Sequence, residues 1–389
     1  MRAVINSRGF AVLWRPATVR LLLAAFLLDL LSVFVVFGYG SSYLLRVLQA
    51  PSAYPAFALA IYGGVKTGTS LPAGWLLDRL GKGPVVAIAL ATGSIGLATA
   101  ARAQRADAFF VAVGLLAVTV SIGWVVVMAA LSQESDVNDR GAAASTLGLL
   151  SGAATGSAVF LAALFIAVGS PRTALAFGVS LVLIVCSLMA FATFSPPEMP
   201  SFGRRKVLRQ RLPLFAIVFC HFAALTAVAG LYIPFLLRDL DLSTTRAAIV
   251  LVPAAAAGGL TMLWSGSRSR AGLRFALAGD FYALGGLALL LISRESHLLL
   301  VGLLTVPVVG ALAATAPLVN AAVLDTGSRS HSETLGWIFL VEGLGAAAGP
   351  LIAAGGISLV GIRLAMAILS CAIIPFGLAV KKGQQAIRP

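Results

Sequence analysis

Of 389 residues, 59% are hydrophobic and only 11% charged, and the mean hydropathy is +0.99. Soluble domains carry about a quarter charged residues, so this balance excludes a soluble globule and places the chain in a membrane. The formal net charge of +14 then reads as a topology signal and an attraction to anionic lipid headgroups, not as a nucleic-acid footprint.

Apolar runs between charge or proline clusters predict twelve spans, at 18–39, 54–77, 84–101, 108–131, 142–166, 173–194, 212–237, 245–264, 274–293, 298–324, 333–358 and 362–380. Each approaches the ~20 apolar residues that cross a bilayer. In lipid a span must satisfy its own backbone polar groups, and runs of this length do so as helices, not as the alternating strands of a barrel. The expected fold class is an all-α polytopic membrane protein. The basic N-terminus leads into the first span without a small-residue cleavage site, so that span is expected to stay and not to be removed as a signal peptide.

Along the first half, Asp29 and Tyr39 lie in the first span and Lys66 in the second. Between the second and third spans stands Gly74-Trp-Leu-Leu-Asp78-Arg79-Leu-Gly81-Lys82-Gly83, a short charged gap that joins two membrane helices tightly. Trp124 lies in the fourth span, followed by the acidic turn Glu134-Ser-Asp136-Val-Asn-Asp139 and then Arg140. Gly148, Gly152 and Gly156 recur every fourth residue in the fifth span, a spacing that lets helix backbones approach closely.

The stretch from Ser195 to Arg211 is the longest polar, proline-broken segment and divides the spans six and six. It predicts a bundle over 1–194, a cytoplasmic linker over 195–211 and a second bundle over 212–389. Ser145-Thr-Leu-Gly148 and Glu333-Thr-Leu-Gly336 open the fifth and eleventh spans, 188 positions apart, as a parallel repeat does. In the second half, His221 lies in the seventh span and Asp280 in the ninth, within reach of Arg274 and read as structural. Glu342, Gly345, Gly349 and Pro350 lie in the eleventh. Cys186, Cys220 and Cys371 fall in different spans, so neither a disulfide framework nor metal-ligand spacing exists and no metal or cofactor is expected. Basic residues divide 19 to 8 in favour of the side that carries both termini, with Lys66 left inside a span. Both termini are therefore expected to be cytoplasmic, in a multi-pass protein of the cell membrane.

An ionisable side chain at the centre of an isolated span costs about 2.5–3.5 kcal/mol, so it faces the bundle interior and finds a partner. Asp29 and Lys66 fall near the midplane and Glu342 a little nearer the cytoplasm. These three form the candidate substrate and proton pathway. His221 joins them because its titration range suits proton relay, and Trp124 and Tyr39 because aromatics line cavities for amphipathic ligands. Each has a plainer reading: a fixed Asp29–Lys66 pair, a histidine hydrogen-bonded in a core, aromatics that only fill space.

The pattern Gly-x-Leu-x-Asp-Arg-x-Gly-Lys of the second gap closely resembles the loop between helices 2 and 3 of major facilitator superfamily transporters. The resemblance implies twelve transmembrane helices in two pseudo-symmetric six-helix bundles and transport by alternating access. It makes Gly74, Asp78, Arg79, Gly81 and Lys82 a cytoplasmic gating motif, with Asp78 meeting the start of the eleventh span at Ser332-Glu333-Thr334 and Arg140 as its basic partner. The equivalent loop of the second half, Ser265-Gly-Ser-Arg268-Ser-Arg270, keeps bases without an acid. The fifth-span motif of proton-coupled drug antiporters is matched at Gly152 and Gly156 but has Ser157 in place of proline, and the fourth span lacks their arginine. Asp29, Ile122-Gly-Trp124-Val-Val, His221 and the run from Glu333 to Gly349-Pro350 resemble lipid-flippase-like members such as glycolipid-anchor flippases. The chain departs from those at Lys66 and Ser32, where the charges of the first two spans are exchanged.

The expected function is secondary active transport of an organic, amphipathic solute, coupled to protons and directed outward, by a monomer surrounded by membrane lipids. The alternative is a proton-coupled flippase for a lipid-linked substrate. A non-transporting receptor or an intramembrane enzyme is a second alternative, but the three His lie on separate segments and no loop sets paired carboxylates against a nucleophile. No Gly-x-x-x-x-Gly-Lys-Ser/Thr loop is present, so ATP is not the direct energy source.

Overall fold

The computed structural model describes residues 16–134, 171–190, 206–267, 274–325 and 331–383, together with isolated positions from 150 to 165. Helix α1 begins as Pro16–Ser32 and runs on through the wider π turns Val33–Tyr39, the short α segment Gly40–Ser42 and a second π segment, Tyr43–Val47. It is followed by α2 (Tyr54–Leu80), α3 (Lys82–Arg102), α4 (Ala106–Glu134) and α5 (Pro171–Ala190). Then come α6 (Lys206–Pro234, ending in the π segment Phe235–Asp239), α7 (Thr244–Ser267), α8 (Arg274–Ile292), α9 (Leu298–Asp325), α10 (His331–Val360) and α11 (Ile362–Gly383). Helical positions between 153 and 165 stand where the fifth span is expected.

Eight of the described helices are long and apolar enough to cross a membrane. Helix α2 is not among them, because Lys66 and a run of Gly, Thr and Ser dilute its middle. The apolar stretches of α5 and α8 are shorter, at Phe177–Ala190 and Ala276–Ile292.

Two cores result. One is built from α1 to α5 around Phe34, Leu28, Phe109 and Leu116, the other from α6 to α11 around Tyr282, Phe235, Leu236 and Met366, joined by Leu45, Ala53 and Ala56 of the first half. Neighbour relations repeat between them: α2–α4, α3–α4, α3–α5 and α1–α5 in the first correspond to α7–α9, α8–α9, α8–α11 and α6–α11 in the second. Connections alternate in direction, so one end of the bundle gathers the ends of α1, α3, α6, α8 and α10, and the other carries the α2–α3 turn. At that turn Gly81 adopts φ 72°, closing α2 with an N–H bond to the Leu77 carbonyl (3.0 Å) and starting α3 one residue later. Glycine takes this left-handed conformation without the steric cost of a Cβ.

Helix α1 overruns its expected end at Tyr39 and stops at Val47. Two glycines permit the widened turns. A Cβ at Gly38 would meet Ala162 Cβ at 2.7 Å, and one at Gly40 would strike the Val35 carbonyl and come within 2.7 Å of the Phe109 ring. The widened stretch stacks Tyr39 between Phe34 and Tyr43, each pair of ring centroids 5.9 Å apart, and Tyr43 Oη donates to the Ala103 carbonyl at 2.6 Å.

The Asp280 carboxylate meets Lys381 of α11 at 2.7 Å, a partner from a distant helix; the Arg274 side chain lies outside the described residues. Helices α8 and α11 cross glycine on glycine: a Cβ at Gly377 would lie 2.7 Å from the Gly279 carbonyl and 2.7 Å from Tyr282 Cβ. That crossing brings Lys381 beside Asp280. The pair itself is half exposed and contributes little; close backbone contact holds the helices together. Gly377→Val is accordingly expected to destabilise the protein by about 1–3 kcal/mol through overpacking. Gly259→Ala, at a position with nothing within 4 Å, is expected to leave the unfolding temperature of the detergent-solubilised protein unchanged or slightly raised. Equal melting of both variants with the parent would contradict this account of the crossing.

Candidate functional site

The polar middle of α2, Gly63-Gly64-Val65-Lys66-Thr67-Gly68-Thr69-Ser70, builds the site. Its hydroxyls bond back onto their own helix: Thr67 to the Gly63 carbonyl, Thr69 to Val65 and Ser70 to Lys66, each at 2.7 Å. Such back-bonding satisfies hydroxyls within the membrane and keeps the helix intact. The Lys66 carbonyl accepts a further bond from Ser121 Oγ of α4 at 2.9 Å, and Ser121 also contacts Ser70 Oγ at 3.1 Å. Residue 66 is thereby fixed against α4.

Around the Lys66 ammonium converge Tyr62, one turn away on α2, Glu342 from α10 and Asp29 from α1, all interacting with it electrostatically. Glu342 feels both Lys66 and Asp29. The Tyr62 hydroxyl lies in hydrogen-bond reach of Ser32, whose Oγ donates to the Asp29 carbonyl at 3.0 Å. The structure thus brings together Asp29, Lys66 and Glu342 as one cluster from three helices and both halves. Tyr62, Ser32 and Ser121 are members that sequence reading missed. Lys66, Tyr62 and Glu342 are deeply enclosed yet keep accessible side-chain surface, the combination expected of groups that line an internal space.

The approach of α2 to α10 sets this geometry. A Cβ at Gly63 would stand 2.9 Å from the Ala346 carbonyl group, and one at Gly343 would overlap Thr67. The opposite face of α10 packs on α6: Cβ atoms at Gly345 and Gly349 would collide with the Phe219 and Ala223 carbonyls. Gly345 and Gly349, with Pro350 beside them, therefore form a seam within the second half. Gly63 and Gly343 form a close main-chain contact between halves.

The other candidates stand apart from the cluster. His221 is fully buried in the second core, its Nδ1 2.6 Å from Tyr282 Oη and 3.1 Å from Thr315 Oγ1, while Nε2 has no partner among the described residues. Trp124 packs against the first core, with its indole N–H buried and unpartnered among the described residues. Tyr39 belongs to the aromatic stack of α1. In the charged turn, the Arg79 guanidinium lies 4.4 Å from the Trp75 ring centroid, a cation–π contact one helical turn back. Gly74 faces open space. Lys82 begins α3. The Asp78 side chain, Arg140, Gly148, Gly152 and Gly156 lie outside the described residues. Among the described residues no group of three or more His, Cys, Asp or Glu could hold a metal ion.

Comparison with known proteins agrees with this architecture. The family model of the Major Facilitator Superfamily matches residues 21–350. No curated protein matches the chain. Among solved structures, the human organic anion transporter MFSD10 (TETRAN) is 18% identical, with 95% of this chain and 100% of that one covered at a TM-score of 0.64. A single-residue variant of the nucleoside transporter NupG is 15% identical, covering 96% and 100% at a TM-score of 0.71. With a charged cluster at the meeting of two helical halves and a family match over most of its length, the chain belongs to the major facilitator superfamily of membrane transporters.

Proposed function

We propose that this protein is a secondary active transporter that exports an organic, amphipathic solute across the cytoplasmic membrane by alternating access, in exchange for protons. The observation that carries the reading is the convergence of Asp29, Lys66 and Glu342 from both halves of the molecule. Lys66 brings one positive charge to two carboxylates, so a proton or a cationic group of the solute can add at the cluster. Asp29 and Lys66 ride on the first half and Glu342 on the second. Rocking the halves therefore changes the field at Glu342, and a carboxylate drawn away from its cation in a dry interior takes up a proton. That is the linkage antiport requires. The solved relatives named above are transporters of an organic anion and of a nucleoside, which supports a small organic solute.

The test is uptake into proteoliposomes under an imposed pH gradient, against a panel of amphipathic compounds and lipid-linked sugars. Asp29→Asn and Glu342→Gln are each expected to abolish gradient-driven accumulation while solute exchange without a gradient persists. Parental accumulation in both variants would remove the carboxylates from the coupling. Lys66→Met removes the cation that Asp29 and Glu342 both feel and is expected to destabilise the protein by about 3–5 kcal/mol, read as a fall in unfolding temperature. The double change Lys66→Met with Asp29→Asn should recover most of that loss without recovering accumulation; recovered pumping would reduce Asp29 and Lys66 to a structural pair.

The contact between halves yields a separate expectation. Gly63→Ala places a methyl against the main chain of Ala346 and Ala347, which cannot move aside cheaply. Overpacking of about 1–3 kcal/mol applies only while the halves meet there, so the open population should rise by roughly one to two decades. Faster cysteine labelling near Ser52 reports that shift, and an unchanged labelling rate would contradict it.

A further inference from the structure

We propose that Arg46 and Arg238 form a reciprocal clasp that latches the halves at the end of the bundle opposite the α2–α3 turn. On the topology proposed above this is the outer gate. Arg46 Nη2, just past the first core, donates to the carbonyls of Leu237 and Leu242 at 2.9 Å each and to Asp241 Oδ1 at 3.1 Å. Arg238 Nη2 donates back across the same boundary to the carbonyls of Leu45 (2.7 Å) and Ala50 (3.3 Å) and reaches Gln49 Oε1 at 3.5 Å. Each half holds the end of the other half's first helix.

The correspondence is residue for residue. Tyr43-Leu-Leu-Arg46-Val-Leu-Gln49-Ala50 and Phe235-Leu-Leu-Arg238-Asp-Leu-Asp241-Leu242 stand 192 positions apart, and the two pairs of accepting carbonyls are related by the same shift. Both segments open with a five-residue π turn. Leu48 N–H bonds the Tyr43 carbonyl and Leu240 N–H that of Phe235, both at 3.0 Å. Ala50 and Leu242 close onto Leu44 and Leu236 at 2.9 and 3.0 Å. Gln49 and Asp241 then adopt φ of 51° and 46°, the only non-glycine positive values among the described residues. Such backbone is unfavourable for L side chains and persists where its surroundings over-determine it. Here it turns helix-end carbonyls, otherwise short of donors, toward the opposing guanidinium, where the helix dipole also favours a cation.

The contact is built to open. Arg46 and Asp241 keep 39% and 83% of their side-chain surface, so water replaces the lost bonds when the halves part. Arg238 Nε is buried without a partner among the described residues, so the closed state leaves one donor unmet. The second-half receptor is braced from behind: Arg363 of α11 donates to Asp239 Oδ2 at 2.7 Å, to the Glu295 carbonyl at 3.1 Å and to Ser296 Oγ at 3.0 Å. The half-clasps differ in one respect. Arg46 meets a carboxylate, Asp241, where Arg238 meets the neutral Gln49.

The test uses the full chain without its three native cysteines, with labels at Ser52 of the first half and Ser358 of the second, which both line a depression of about 390 Å³ at this end. Arg46→Met and Arg238→Met are each expected to shift the label-to-label distances toward the open population by about tenfold, on the scale of one charge-assisted hydrogen bond. Combined, they should do little more than either alone, since the clasp opens as a unit. Gln49→Glu, isosteric and exposed, is expected to shift the distances toward closed and slow turnover while solute binding is unchanged. Distances unmoved in both arginine variants, or Gln49→Glu acting like Arg238→Met, overturns the proposal. The distances are read without solute or gradient, so they report on the clasp even where the transport assay contradicts the proposed antiport.

Discussion

Lys66 cannot stand alone in hydrocarbon, and much of the molecule is arranged around that fact. Its ammonium needs carboxylates that α2 does not supply, so α1 and α10 must both come close enough to provide Asp29 and Glu342. For α10 to do so, the main chains of the two halves must nearly touch. Gly63 and Gly343 permit this, because neither position has room for a Cβ. Glycine contacts and charges are thus one device: the first creates the proximity that makes the second affordable in a membrane.

Helix α10 carries two glycine faces with different duties. Gly345 and Gly349 press it on the α6 backbone so closely that the two helices must move as one body. Gly343, with Ala346 and Ala347, meets α2 across the divide. Glu342 stands beside the second face but is anchored by the first, so displacement of the second half carries this carboxylate with it. A rigid seam next to a separable one is what converts a domain motion into a change of charge environment.

The spans, the charged turn at Gly81 and the three ionisable residues were legible in the sequence, because apolar runs, a glycine at a required positive φ and a charge in a membrane each leave a mark on residue type. Convergence was not. Nothing in α2 says that Ser121 rather than another hydroxyl holds the Lys66 carbonyl, and the partner of Asp280 depended on a glycine crossing between distant helices. The clasp escaped for a different reason. Its acceptors are main-chain carbonyls, which any residue carries, so Arg46 and Arg238 showed only as loop charges. The repeat Leu-Leu-Arg-x-Leu, 192 positions apart, was present, but its first copy falls past the expected end of the first span and its second straddles that of the seventh, and the π turns that extend α1 leave no compositional signature.

The two kinds of contact between the halves respond differently to protons. The cluster at Lys66 contains two carboxylates and so changes charge when a proton binds. The clasp relies on arginines, which remain charged, and on carbonyls, which do not titrate; its single carboxylate, Asp241, is exposed. If protons drive the cycle, they do so from the centre, by setting how strongly Glu342 is held to the first half, while the clasp contributes a nearly constant term favouring closure at one end. Such a division would leave the centre to answer to the proton and the solute, while the clasp holds the halves mainly through guanidinium groups and main-chain carbonyls.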